Sequence, residues 1–345
     1  MKAYRFVEWQ KPPELVEVPV PEPGPGEVLI KVGGSGACHS DLHIMDWPEG
    51  QLPWRLPFTL GHETAGWVAD IGAGVTGVEV GEAVAVYGPW GCGQCHPCRQ
   101  GMENYCARTA EIGANGGGLG LDGGMAEYML VPSPRLLVPL YGMDPVAAAP
   151  LGDAALTPYH AIKRSLGLLV PGTTAVVVGV GGLGHMAVQI LRALSPARIV
   201  AVDVAEDKLE LAQEIGADHT VVSDEEAAER IRAVTFGRGA EAVFDFVGTD
   251  TTIALGAKVA RAQGHLTVVG LGMGTFPFNF FSQPYEVSLA TTYWGSVTEL
   301  MEVIALAGRG KIEARMERFP LEKAPQAYEK MRAGALDGRA VIVPV

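Results

Sequence analysis

The run AVVVGVGGLGHMAVQILRAL, Ala175 to Leu194, sets a cluster of glycines between an apolar stretch and a helical period. Ala175–Gly179 reads as a buried parallel strand and Gly182–Leu194 as the helix that follows it. Gly179 makes the tight turn between them. Gly181 lets backbone N–H groups approach a pyrophosphate, and Gly184 lets the helix pack against the strand. Gly182 and Leu183 complete the turn, so that the helix N-terminus faces the anion. The next strand, RIVAVD, ends at Asp203, nineteen residues after Gly184. A carboxylate there accepts hydrogen bonds from both adenosine ribose hydroxyls and repels a 2′-phosphate. Glu206 and Asp207 follow, with no arginine nearby to receive a phosphate. The expected cofactor is NAD(H) rather than NADP(H). The competing reading of Asp203 is a plain cap for a helix over Ala205–Ile215.

The same alternation continues through VFDFV (Val243–Val247) and HLTVVG (His265–Gly270). Apolar strands alternating with helices imply a parallel sheet covered on both faces. Up to about Pro150 the pattern differs. Short runs such as Glu27–Val32, Thr64–Ile71 and Ala83–Tyr87 are separated by Gly and Pro turns, as in a β-rich unit. After Ser288 the pattern is mixed and ends in the strand-like RAVIVPV. A chain of 345 residues exceeds the ~250–300 at which one core stops growing. The expectation is a β-rich domain from residues 1–152 and 289–345, interrupted by a nucleotide-binding domain over 153–288.

All five cysteines fall where a metal would want them. Cys92, Cys95, Cys98 and Cys106 form a C-x2-C-x2-C-x7-C cluster in the loop 91–106, enough thiolates to close a tetrahedral shell around Zn²⁺. An iron–sulfur run would place its fourth cysteine after three residues with Pro behind it; here seven residues intervene and Ala107 follows. A four-thiolate site has no open position, so this zinc is expected to hold a loop together. The N-terminal MKAYRFVEWQ has no apolar core of a signal peptide, so reduced thiols in the cytoplasm are expected. A net charge of −13 argues against nucleic-acid or anionic-membrane partners, and no apolar run reaches the ~18 residues of a membrane span.

The fifth cysteine, Cys38, is followed by His39, Ser40, Asp41 and His43; His62 and Glu63 come later, and Asp153 stands where the pattern changes. A catalytic zinc takes about three protein ligands and keeps one position open. Cys38, His62 and Asp153 are candidates on ligand chemistry. A satisfied core histidine and a helix-capping Asp153 are equally open readings of the last two.

The segments CHSD, GHETAG, GCGQCHPC…NYC, LGDAALTPYHA and GVGGLGH occur in the order and spacing of zinc-dependent medium-chain alcohol dehydrogenases, and the chain resembles that family over its whole length. VYGPWGCG, LTPYHAI and Tyr293-Trp294-Gly295 look like the bacterial NAD-dependent secondary alcohol dehydrogenases and aryl ketone and aldehyde reductases. The resemblance implies an α/β protein: a GroES-like domain formed by both chain ends, a Rossmann domain between them, and an active site in the cleft. It implies a catalytic zinc on Cys38, His62 and Asp153, with Glu63 as a carboxylate that approaches during ligand exchange. Asp41 would then fix the zinc histidine's tautomer. Ser40 would take the substrate proton, and His43 would lie at the outer end of a proton relay. Asp203 and Lys208 match adenosine ribose contacts, and His39 and Arg339 match pyrophosphate contacts. Thr157, Val247, Val269 and Leu271 match residues around the nicotinamide. Trp54, Leu119, Tyr293 and Trp294 are the implied pocket walls, suited to medium-chain or aryl secondary alcohols and ketones rather than polyols or amino-sugars.

Two zinc ions per chain and a dimeric or tetrameric homo-oligomer are further implications of the resemblance, with pairing along about Asn279–Tyr293. Zinc-free quinone or enoyl reductases of the same superfamily lack the four-cysteine loop. Polyol and formaldehyde dehydrogenases remain within the zinc class. A non-enzymatic zinc and nucleotide binder could dispense with Cys38, Ser40 or Asp153, yet all three are present.

Overall fold

The computed structural model describes residues 1–344. It divides into two compact units, one made of Met1–Leu156, Gly295–Gly308 and the chain from Ala314 onward, the other of Thr157–Trp294 and Arg309–Glu313. The division falls later than 152 and 288. Strand Ser288–Thr291 pairs parallel with Ala260–Val268 and so stays with the second unit.

In the second unit six strands form one parallel sheet. Counted along the chain, their order is 3-2-1-4-5-6. The first, Thr174–Val178, lies at the centre with every residue buried, which is why it reads as continuous apolar sequence rather than alternation. Helix Gly184–Leu194 packs on this sheet through Met186, Ala187, Ile190 and Leu191, the three- and four-residue spacing of one helical face. It begins two residues later than the glycine run suggests, because Gly179 to Leu183 form the turn. The fourth strand is Ala240–Asp245 rather than Val243–Val247. The Asp245 carboxylate accepts the N–H groups of Val247 and Gly248 at 2.9 and 3.0 Å and bends the chain there.

Strand order reverses beside Thr174–Val178, so the turn after it opens at the point where such sheets bind ligands. Gly179 has φ +86° and donates its N–H to the Val202 carbonyl at 2.8 Å. A Cβ on Gly184 would sit 1.8 Å from the Gly179 carbonyl oxygen.

The first unit is organised by Val28–Ala37, which extends beyond the expected Glu27–Val32. One edge pairs with Glu63–Ile71 along its length. The other edge pairs first with Tyr128–Val131 and then with the C-terminal strand Arg339–Val343. Gly36 lies opposite Glu63, and Ala37 opposite Ala340. Three segments far apart in sequence therefore end at one place. A smaller sheet of Lys2–Phe6, Glu14–Glu17 and Phe58–Thr59 completes the unit. Among the described residues no helix is long and apolar enough to cross a membrane.

Gly184→Ala is expected to cost about 2–3 kcal/mol, the upper range for overpacking, because the obstacle is backbone. It should lower the melting temperature and weaken NADH binding. Wild-type values of both would contradict the close approach.

Candidate active site and metal centres

Cys38 is the N-cap of helix His39–Asp46, with extended backbone at φ −115° and ψ 154°. Asp41 reaches back from the first turn and accepts the Cys38 N–H at 2.9 Å, the reciprocal arm of a capping box. The same carboxylate, fully buried, faces His62 Nδ1 at 3.2 Å. It also accepts the Tyr328 hydroxyl at 2.8 Å. With Nδ1 turned to Asp41, Nε2 of His62 points to Asp153, 3.8 Å from its Oδ2. Asp153 Oδ2 lies 3.5 Å from Cys38 Sγ.

Cys38, His62, Glu63 and Asp153 thus present donor atoms all within 4.8 Å of one another, and all four residues are buried. Bonds of about 2.0–2.3 Å from Zn²⁺ to N, O and S give tetrahedral edges of roughly 3.3–3.8 Å. The Cys38–Asp153 and His62–Asp153 spacings, 3.5 and 3.8 Å, fall within that range. Ser40 Oγ is 3.4 Å from Cys38 Sγ.

Electrostatics favour a cation at this spot. Burial alone would push His62 down, yet Asp41, Asp153 and Cys38 hold it well above the ordinary histidine value. Burial pushes Glu63 up to about 7, against the attraction of Arg339. Arg339 is buried, and its guanidinium pairs with Glu63 through Nε at 3.0 Å and through Nη2. Nη2 also lies 3.4 Å from Asp153. The guanidinium matched to the pyrophosphate by resemblance therefore spans two carboxylates of the metal cluster. His39 is exposed at the start of the helix, and His43 is half-buried, its ring 6.3 Å from that of Trp47. Burial lowers the His43 pKa.

The four-cysteine loop closes on itself. Sγ atoms lie 4.0 Å apart for Cys92 and Cys98, 3.3 Å for Cys95 and Cys98, and 3.9 Å for Cys95 and Cys106. A tetrahedron with Zn–S near 2.3 Å has edges of about 3.8 Å. Backbone N–H groups of Gln94 and Cys95 point at Cys92 Sγ and bring its thiol down to about 6. Burial pushes Cys98 up. The loop is braced by Glu103, which accepts the Gly91 N–H at 2.6 Å and two bonds from Arg135 at 2.9 and 3.1 Å. Neither brace is visible as a motif, since Arg135 stands 32 residues from Glu103.

In the second unit Asp203 is bonded to the backbone on both sides of its strand end. It stands at the end of its strand, half-exposed. One oxygen accepts the Val180 N–H at 2.7 Å and the other the Ala205 N–H at 3.1 Å. It ties the glycine turn to the start of helix Glu206–Glu214 while remaining open to solvent. The His185 ring, which the motif leaves unmarked, lies 3.0 Å from the Gly181 carbonyl through Nδ1. Lys208 is near Asp207, at 3.9 Å. Val247 adjoins Gly179, and Val269 donates its N–H to the Asp245 carbonyl at 2.7 Å. Thr157 and Val269 are buried, whereas Leu271 is exposed. Tyr293 and Trp294 meet edge to face at 6.1 Å, and Trp294 carries φ +57°, a strained backbone for an aromatic residue. Trp54 donates Nε1–H to the Asn115 side chain at 3.1 Å, and Asn115 donates its N–H to the carbonyl of buried Leu119 at 2.9 Å. Those two implied wall residues are neighbours.

Residues 24–141 match the family described as "Alcohol dehydrogenase GroES-like domain", and residues 182–309 match "Zinc-binding dehydrogenase". Over 355 aligned residues the chain is 37% identical to the NAD-dependent alcohol dehydrogenase of Sulfurisphaera tokodaii, covering 100% of both. The chain belongs to the zinc-dependent medium-chain alcohol dehydrogenase family. A second relative in this family is the D-arabinose 1-dehydrogenase (NADP(+)) of Saccharolobus solfataricus, 35% identical over 99% of this chain and 97% of its own. Among solved structures, the alcohol dehydrogenase of Aeropyrum pernix aligns with a TM-score of 0.92 at 35% identity, covering 100% of both chains.

Arg135→Ala strands the Glu103 carboxylate, so the four-cysteine loop is expected to lose about 1–3 kcal/mol. A lowered melting temperature and faster zinc release to a chelator should both follow. Unchanged melting and release would remove Arg135 from the brace.

Proposed function

We propose that this chain catalyses reversible hydride transfer between NAD(H) and small alcohols or their ketones and aldehydes, as a zinc-dependent alcohol dehydrogenase. The observation that carries the reading is the buried set Cys38, His62 and Asp153, with a hydroxyl, Ser40, beside it. When bound, a zinc ion on these three residues supplies a Lewis acid with an open position, and NAD supplies the hydride acceptor.

The chain's own residues do the rest. Asp41 holds Nδ1–H of His62, which fixes the tautomer that turns Nε2 inward. Ser40 relays the proton of a substrate hydroxyl, its Oγ accepting that proton as its own O–H proton is passed on, and the relay runs backwards in the reverse direction. His43, on the next turn of the same helix, passes that proton toward solvent. Arg339 keeps Glu63 and Asp153 apart from each other's charge. Cys92, Cys95, Cys98 and Cys106 would hold a second zinc with no open position, giving two per chain.

Asp203 carries the choice of NAD. Its carboxylate and the acidic Glu206 and Asp207 beside it disfavour a 2′-phosphate, so the NADP preference in the D-arabinose relative's name is not expected here. His39, Lys208, Thr157, Val247, Val269, Leu271 and Arg339 are proposed as further cofactor contacts. Trp54, Leu119, Tyr293 and Trp294 are proposed as walls favouring secondary and aryl alcohols. A homo-oligomer is supported by the edge strand Ser288–Thr291 and the exposed Phe278, Phe280, Phe281 and Tyr285 preceding it. A cytoplasmic setting suits the free cysteines.

The direct test is NADH formation from 2-propanol and 1-phenylethanol, with and without 1,10-phenanthroline. Turnover should be present and chelator-sensitive, and elemental analysis should find two zinc ions. Absence of turnover over a panel of alcohols at full zinc loading would end the dehydrogenase reading. Asp203→Asn keeps an acceptor but removes the charge. It should narrow the NAD to NADP ratio of kcat/KM by about tenfold, the equivalent of about 1.4 kcal/mol; an unaltered ratio would assign Asp203 to the turn alone.

A further inference from the structure

We propose that Tyr328 is a positioning residue for the metal centre, its hydroxyl holding the Asp41 carboxylate in the orientation that aligns His62. The inference rests on the reading of Cys38, His62 and Asp153 as zinc ligands.

Asp41 is fully buried, so its charge must be met by donors inside the protein. Two donate to it and a third polar atom faces it. Oδ2 accepts the Cys38 N–H at 2.9 Å and the Tyr328 hydroxyl at 2.8 Å, while Oδ1 faces His62 Nδ1 at 3.2 Å. The N–H belongs to the same helix start as Asp41 itself. Among the described residues the Tyr328 hydroxyl is the donor that reaches Oδ2 from outside that helix, from helix Ala324–Arg332, 287 residues along the chain. Met125 Sδ is the other atom near that hydroxyl, at 3.3 Å. A thioether is a weak acceptor, and a carboxylate makes the stronger, charge-assisted bond. The hydroxyl proton therefore points to Asp41. Burial, then the Asp41 charge, raise the Tyr328 pKa well above the ordinary phenol value and keep it a donor. Its ring lies over Tyr4, with centroids 6.2 Å apart and planes 19° apart, which fixes where the oxygen can sit.

The same two helices are clasped a second time. Arg332, one turn after Tyr328, binds Asp46 through two bonds of 2.7 and 2.8 Å. Both partners of that clasp are half in solvent, with side chains 49% and 56% exposed, and the Arg332 bonds go to Asp46 rather than Asp41. Arg332 can hold the helices in register; Tyr328 alone reaches the carboxylate behind the zinc histidine. The two roles are separable by mutation.

The test is the rate of zinc release from the purified full-length protein to 4-(2-pyridylazo)resorcinol. Wild type should release two ions in two resolved phases. Tyr328→Phe removes one oxygen and leaves the ring on Tyr4. It should accelerate one phase about 5–20-fold, around the lower end of the 10–100-fold change in affinity or activity typical when a direct partner of a ligand is lost. The four-cysteine phase serves as the internal control and should not move. Asp41→Asn should accelerate the same phase, and adding Tyr328→Phe to it should accelerate it no further, because the hydroxyl acts only through that carboxylate. Arg332→Ala should leave both phases at wild-type rates. Unchanged release in Tyr328→Phe, or an additive effect in the double variant, would overturn the proposal. So would loss of the native circular dichroism in Tyr328→Phe, since the hydroxyl would then serve the fold rather than the site. A wild-type content of one zinc, held by the cysteines, would instead remove the Cys38 site itself, and Tyr328's role with it.

Discussion

Strand Val28–Ala37 is paired on both edges at the end where Cys38 emerges, with Gly36 opposite Glu63 and Ala37 opposite Ala340. Strand register moves in steps of one residue, and each step turns every side chain to the other face. A slip on either edge would carry Glu63 or Arg339 away from Cys38. The register is held by the apolar residues along these strands, with Val28, Ile30, Ala65, Val68, Val341 and Ile342 all essentially buried. Gly36 has a specific part in it. A Cβ there would lie 1.9 Å from Glu63 Oε2, so the strand opposite Glu63 must be bare for the carboxylate to lie flat toward Arg339. Hydrophobic pairing thus does the placing, and the polar groups inherit their geometry from it.

The parts of this arrangement visible in sequence are those whose residues are close together in the chain. The glycine turn at Gly179 to Gly184, the strand before it and Asp203 after it lie within one short stretch, and spacing alone carries their meaning. The four cysteines are legible for the same reason. The set Cys38, His62 and Asp153 is not, because ligand chemistry without geometry fits a core histidine and a helix cap equally well. There the family resemblance supplied what spacing could not, and the structure brings the three together with Glu63. Tyr328, Arg135 and His185 had no signal of either kind. Tyr328 sits on a helix in the stretch after Ser288 whose pattern is mixed, and its partner lies 287 residues away. Element ends were also misjudged where a side chain rather than a propensity sets them, as Asp245 does by drawing in the N–H groups of Val247 and Gly248.

Arg339 and the choice of Asp at position 153 belong to one charge balance. Counting Cys38 as a thiolate, the cluster holds up to four anionic groups, Cys38, Asp41, Asp153 and a Glu63 that burial holds up at about 7, against the single guanidinium. A buried excess of that size is untenable without further positive charge, and His62, held well above its ordinary pKa, is where it gathers when no metal is counted. A divalent cation held by Cys38, His62 and Asp153 would offset most of the same imbalance and let His62 be neutral, as a ligand must be. The carboxylate at Asp153 adds something a thiolate could not. Its Oδ2 lies 3.5 Å from Cys38 Sγ and 3.4 Å from Arg339 Nη2, so one group faces both the metal position and the guanidinium. Arg339 pairs with Glu63 as well, and this couples the two carboxylates through a shared cation. Movement of Glu63 toward the metal position would therefore loosen its grip on Arg339 and leave more of that charge for Asp153. Arg339 thus ties the positions of Glu63 and Asp153 to each other through one shared guanidinium.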